Sequence, residues 1–169
     1  MNKNIVLIGF MGSGKTSIGK RLSIRLKREF IDMDDFIEKK EGMTINEIFA
    51  TKGEAYFREL EAEICRRYSQ PKGKIIATGG GVIKNPENIK NLKAGGIIYY
   101  LKSSAEKIAD NLKNDNSRPL LNVKDKKAKI KELMAEREST YLQCADRILD
   151  VTDTNPDDSC NKILEEMKL

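Results

Sequence analysis

The chain has 169 residues, 39% of them hydrophobic, which suits one compact globular domain with a single core. Its 31 basic and 26 acidic residues leave a net charge of +5, which favours a small anionic ligand but is too mild to argue for nucleic acid. No histidine is present, so histidine-based acid–base, nucleophilic and metal-ligand chemistry is excluded, and any catalytic base must be a carboxylate or a similar group.

Met1-Asn-Lys-Asn leads into the apolar run Ile5–Ile8, far too short for a signal peptide or a membrane span, so a cytoplasmic location away from membranes is expected. A shorter strand candidate follows at Phe30–Met33, and apolar runs bounded by turn residues recur at Lys74–Ala77, Ile97–Leu101 and Arg147–Val151. Helical stretches separate them. Strands alternating with helices predict an α/β fold, a three-layer α/β/α arrangement with a central, mainly five-stranded parallel sheet, because each parallel crossover needs a helix. Thr44-x-x-Glu47 and Ser103-x-x-Glu106 match capping boxes, and Asn155-Pro156-Asp157-Asp158 reads as the start of a final helix. The polar stretch Lys113–Lys124, which contains Arg118-Pro119, predicts a mobile lid. Lys124–Lys131 reads as a solvated helix face. Cys65, Cys144 and Cys160 lie far apart without C-x-x-C spacing and read as buried or idle thiols.

Gly9-Phe-Met-Gly-Ser-Gly14-Lys15-Thr16 satisfies G-x-x-x-x-G-K-[ST], between an apolar strand and a helix carrying Ile18, Leu22 and Leu26 on one face. Gly9, Gly12 and Gly14 let backbone N–H groups converge on phosphate oxygens, and the following helix presents its positive end. Gly12, Ser13, Gly14, Lys15, Thr16 and Ser17 are therefore the candidate nucleotide-phosphate ligands, with Lys15 adding a point charge and Thr16 able to ligate Mg²⁺. A phosphate cradle does not identify the acceptor, but the lack of an N-K-x-D signature argues against a GTPase switch.

Asp32-Met33-Asp34 follows the second strand, and alternate positions on an extended segment put both carboxylates on one side. Asp32 can then hold a metal-bound water and Asp34 can receive a proton from an acceptor hydroxyl; helix capping by Asp34-Asp35 is the competing explanation. Gly79-Gly80-Gly81 follows a strand at its carboxyl end, serving either a close backbone approach to a ligand or a simple turn. Arg58 and Glu61 have the spacing of a helical ion pair, and Arg118 is either a mobile phosphate clamp or a solvated loop charge.

In order and spacing the P-loop, Asp32-x-Asp34, Phe57-Arg58-x-x-Glu61, Gly79-Gly80-Gly81 and Arg118-Pro119-Leu120-Leu121 resemble the shikimate kinases over essentially the whole chain. That resemblance implies a P-loop NTPase of nucleoside-monophosphate-kinase-like fold: a single kinase domain, 1–169, with a substrate-binding helical segment at about 33–62 and a lid at about 112–124. It implies transfer of the γ-phosphoryl group of ATP to the 3-hydroxyl of shikimate, giving shikimate 3-phosphate and ADP in aromatic amino-acid biosynthesis; the competing readings are another small-molecule P-loop kinase, such as a gluconate kinase, which would not need both Arg58 and Arg137, and a nucleotide-binding regulatory protein, which would not need Asp34 or Arg118. By the same resemblance Lys15, Asp34 and Arg118 are catalytic, Thr16 and Asp32 hold Mg²⁺, and Asp34, Arg58, Gly79, Gly80, Gly81 and Arg137 bind shikimate. Phe49 and Phe57 wall its ring, while Arg118 and Asn155 contact the nucleotide. A cytoplasmic monomer whose partners are the small molecules ATP and shikimate is implied. One departure stands out: Asn111 occupies the position where the resemblance leads one to expect an adenine-stacking arginine, and an amide offers no cation–π face.

Overall fold

The computed structural model describes residues 2–168. Five strands form one parallel sheet: β1 (Asn4–Ile8), β2 (Phe30–Asp32), β3 (Ile75–Ala77), β4 (Gly96–Lys102) and β5 (Arg147–Asp150), in the spatial order β2-β3-β1-β4-β5. The helices are α1 (Lys15–Leu26), α2 (Met33–Glu41), α3 (Ile45–Lys52), α4 (Glu54–Arg67), α5 (Pro86–Gly95), α6 (Ala105–Leu112), α7 (Lys126–Cys144) and α8 (Pro156–Met167). Short 3-10 turns occupy Val82–Lys84 and Pro119–Leu121.

Strand side chains alternate between faces, and both faces are apolar. Val6, Ile8, Ile31, Ile76, Ile98 and Tyr100 pack on one side with Ile37, Ile48, Leu60, Ile64 and Leu92 from α2 to α5 and with Tyr141 from α7. Ile5, Leu7, Ile75, Tyr99 and Leu101 pack on the other with Ile18 and Leu22 of α1 and Cys160 and Ile163 of α8. The result is the expected α/β/α sandwich. A third cluster, Phe10, Met11, Ile108, Leu112, Leu121, Ile130 and Leu133, joins the residues after β1 to α6, α7 and the Pro119–Leu121 turn.

Buried Asn4 ties the centre of the sheet to the chain entering β3. Its amide nitrogen donates to the Tyr68 and Gln70 carbonyls at 3.4 and 3.2 Å, and its oxygen accepts from the N–H groups of Lys72 and Lys74 at 3.0 and 2.9 Å. A polar residue is tolerated there because its donors and acceptor are satisfied.

The helix starts agree with the sequence reading in two places and differ in two. Thr44 and Glu47 form a capping box at α3, and Asn155 accepts from Asp158 N–H at α8. At α6 the cap is Ser104, which accepts from Lys107 N–H, rather than Ser103, which is buried. Strand β4 carries the chain one residue further than the capping pattern implied, through Lys102. Strand β2 ends at Asp32, and Asp34 belongs to the first turn of α2 instead of an extended segment. Asp32 itself caps that helix by accepting from Asp35 N–H at 3.2 Å.

Candidate active site

The loop after β1 turns through Gly9, Gly12 and Gly14 with φ of 154°, 77° and 93°, a region that side chains disfavour. Gly14 then caps α1, so the positive end of that helix opens onto a cleft of about 780 Å³. Gly12, Ser13, Gly14, Lys15, Thr16 and Ser17 line the cleft together with Asp32, Asp34, Gly80, Arg118 and Asn155. Lys15 is buried, and its ammonium donates to the carbonyls of Gly9 and Phe10 at 2.7 and 2.9 Å. Burial, reinforced by the Arg118 guanidinium, pushes its pKa down to about 7. An incoming phosphate would reverse that shift. The Thr16 hydroxyl donates to Asp32 Oδ2 at 2.7 Å, bringing two hard oxygen atoms together beside the glycines.

A smaller recess of about 50 Å³ adjoins the cleft and is lined by Phe49, Phe57, Arg58, Glu61, Gly79, Gly80, Gly81, Pro119 and Arg137. Met11, Asp34, Gly80 and Arg118 line both spaces, so they mark the junction. At that junction Arg118 Nη1 donates to Asp34 Oδ2 at 3.2 Å, while buried Asp34 Oδ1 has no partner among the described residues. Burial raises the Asp34 pKa and the Arg118 charge works against that rise.

The two arginines of the recess are held differently. Arg58 Nη1 pairs with Glu61 at 3.0 Å, and Nη2 pairs with Glu54 at 3.3 Å. Its guanidinium carbon lies 5.1 Å from the centre of the Phe57 ring. Glu61 is 1% exposed, and burial lifts its pKa to about 7 despite the opposing charge of Arg58. Arg137 is 5% exposed on α7, and neither Nη1 nor Nη2 finds a hydrogen-bond partner among the described residues. Its guanidinium carbon lies 5.6 Å from the centre of the Phe10 ring, but a buried guanidinium whose Nη atoms lack acceptors is costly, and an anion is the group that relieves it.

The three glycines answer the question the sequence left open. The positive-φ glycines among the described residues lie elsewhere, so Gly79, Gly80 and Gly81 provide space and not a special turn. A Cβ on Gly79 would come within 2.9 Å of Asp34 Oδ1, one on Gly80 within 3.5 Å of Arg137 Nη1, and one on Gly81 within 2.5 Å of Arg58 Nη1. Gly79 thus makes room for Asp34 and for Glu61, whose Oε2 would lie 3.0 Å away, and Gly81 for Arg58; a Cβ on Gly80 would press first on Met11 at 3.3 Å, and its distance to Arg137 is ordinary van der Waals contact.

Asn111 faces the cleft, but its amide nitrogen donates to the Gly12 carbonyl at 2.9 Å, and the preceding turn of α6 adds Lys107 to the same wall. Lys107 and Ser103 also line the cleft, though no motif in the sequence marks them as such. The four-residue step from Lys107 to Asn111 and the position of Ser103 after β4 were the available signals.

A glycine cradle and a buried lysine at the carboxyl end of a central parallel strand, with a carboxylate at the junction to a second recess, define a P-loop phosphotransferase of the kinase class. Comparison with known proteins narrows this class. The family model described as shikimate kinase matches residues 11–168, and the chain belongs to the shikimate kinase family. It is 44% identical over 164 residues to a shikimate kinase of Thermodesulfovibrio yellowstonii, covering 97% of this chain and 94% of the relative. It is 49% identical over 142 residues to one from Caldicellulosiruptor bescii, covering 84% and 83%. A solved shikimate kinase from Acinetobacter baumannii in complex with shikimate superposes with a TM-score of 0.94 at 36% identity, covering 99% of this chain and 93% of that one.

Proposed function

We propose that the protein transfers the γ-phosphoryl group of ATP to the 3-hydroxyl of shikimate, yielding shikimate 3-phosphate and ADP for aromatic amino-acid biosynthesis. The observation that carries this reading is the pair of buried, unpartnered Arg137 nitrogens in the recess that Arg58 also lines. Two guanidinium groups suit a carboxylate, and Asp34 and glycine N–H groups suit ring hydroxyls. Phe49 and Phe57, with ring centres 5.1 Å apart, supply an apolar wall for the ring.

In this mechanism Asp34 Oδ1 orients the acceptor hydroxyl at the junction and takes its proton as the new P–O bond forms. Gly12 to Ser17 hold the phosphates, with Lys15 leaving its carbonyl partners to meet them. Arg118 moves from Asp34 onto the transferring group and stabilises its charge. Asn155 and Arg118 complete the nucleotide contacts.

The Thr16–Asp32 oxygen pair fits Mg²⁺, which takes few protein oxygens and keeps water and phosphate ligands. Among the described residues no group of three or more Asp, Glu, Cys or His is placed to hold a metal. When bound there, Mg²⁺ would neutralise phosphate charge.

The whole chain, 1–169, acts in this reading as one kinase domain, with the acceptor-binding segment at about 33–62 and the lid at about 112–124. It works as a cytoplasmic monomer on small molecules, without nucleic acid or membrane. The product tests the proposal directly. Phosphorus–proton NMR should couple the new phosphate to H3 of shikimate, and coupling to another ring proton would refute the assignment.

A further inference from the structure

A run of three glycines solves one problem and creates another. It admits Asp34, Glu61 and Arg58 closely, but glycine has the loosest backbone of any residue, and a peptide between two glycines reorients readily. If the segment is to present N–H groups to a ligand, something must keep its carbonyls turned away.

All three carbonyls are occupied. Gly79 C=O accepts from Val82 N–H at 3.2 Å and Gly81 C=O from Lys84 N–H at 3.1 Å, both within the segment's own 3-10 turn. Gly80 C=O accepts from the hydroxyl of Tyr141, the one carbonyl of the three held by a distant side chain. Tyr141 is 1% exposed, and its ring stacks on Tyr100 of β4 with centres 5.0 Å apart and planes 13° apart. Burial pushes its pKa up to about 12, so the hydroxyl keeps its proton and stays a donor. Tyr141 also lies one helical turn beyond Arg137 on α7, and Gly80 lies against Arg137 Nη1. One helix therefore delivers both the guanidinium and the peg that sets the adjacent peptide.

We infer that Tyr141 is a positioning residue for the acceptor: its hydroxyl pins the Gly80–Gly81 peptide so that the carbonyl faces the core and the N–H faces the recess. The physical basis is the planar trans peptide, in which C=O and the following N–H point in opposite directions. A flipped peptide would set a carbonyl oxygen against an anionic acceptor. This inference rests on the shikimate reading given above.

The test is steady-state kinetics of Tyr141→Phe, which keeps the stacked ring and removes only the hydroxyl. Loss of one hydrogen bond predicts a rise of about five- to tenfold in the KM for shikimate, with kcat and the KM for ATP within about twofold of wild type. Tyr100→Phe, which leaves the Tyr141 hydroxyl in place, should not move the KM for shikimate. An unmoved shikimate KM in Tyr141→Phe, a parallel rise in both KM values, or an equal effect of Tyr100→Phe would each overturn the inference while leaving the acceptor reading intact. A wild-type protein inert toward shikimate would overturn both.

Discussion

In the proposed reaction Asp34 is the base: it stands at the junction of the two spaces with one oxygen paired to Arg118 and the other free of partners among the described residues. Asp34→Asn keeps the shape and removes the base. Turnover should fall by roughly 10²- to 10⁴-fold while ATP binding, followed by fluorescence or calorimetry, stays near wild type. Unchanged turnover would take the base role away from Asp34. Glu61 carries a separate pH signature. Its folded pKa, lifted from 4.5 to about 7, means that the folded state binds the proton more tightly than the unfolded chain. That contribution to stability is fully present below about pH 4.5 and is lost as pH rises through about 7. Glu61→Gln has no such titration, so denaturant unfolding should find the variant gaining stability relative to wild type between pH 5 and 8, by up to about 3 kcal/mol. A constant difference across that range would contradict the assignment. These two carboxylates show what the sequence conveyed and what it did not. The pairing of Arg58 with Glu61 follows from helical spacing. Burial of Glu61 to 1% depends on how α4 packs beneath Gly79, which no local pattern encodes.

Among the elements, the strands and the α3 and α8 caps were legible because apolar runs and hydroxyl or amide caps are local signals. The errors were local ambiguities settled by neighbours. Ser103 and Ser104 are both plausible caps, and the length of β4 decides between them. Asp32 and Asp34 both reach the cleft, but they do so because Asp32 ends β2 and caps α2, placing Asp34 in the first turn, and not because a strand alternates. The glycine triplet was legible as a close-approach site, yet the guests of its three members were not. A mutation separates space from turn geometry: Gly81 has φ of −96°, which alanine adopts freely, so Gly81→Ala should fold well. Its methyl would occupy the place of the Arg58 guanidinium, a movable group, and push it from Glu61. We expect a KM for shikimate raised about tenfold or more with the KM for ATP near wild type, and a melting temperature lowered by the buried Glu61 left without Arg58. An equal rise in both KM values would indicate a backbone role instead.

For the molecule as a whole, residues from Gly9 to Arg137 converge because parallel strands point their carboxyl ends the same way, with β1 at the centre of the sheet. The parallel class could be read from alternation alone. The order β2-β3-β1-β4-β5 could not, since it depends on long-range pairings such as Ile5 with Ile75 and with Ile97 that leave no local trace. The same limit applies to α7: Arg137 was assigned by resemblance, but the contact of Tyr141 with Gly80 spans 61 positions. Asn111, at the position where the resemblance leads one to expect an arginine, donates instead to the Gly12 carbonyl of the P-loop, a contact across 99 positions that no local pattern encodes. In the proposed reaction an anionic hydroxylated acceptor meets a P-loop nucleotide at Asp34. The measurement that tests it most directly is coupled ADP release with ATP·Mg²⁺ and, in parallel, shikimate, gluconate or no acceptor. ADP release that depends on shikimate and not on gluconate is the predicted result; release with gluconate instead, or equal release without any acceptor, would contradict it.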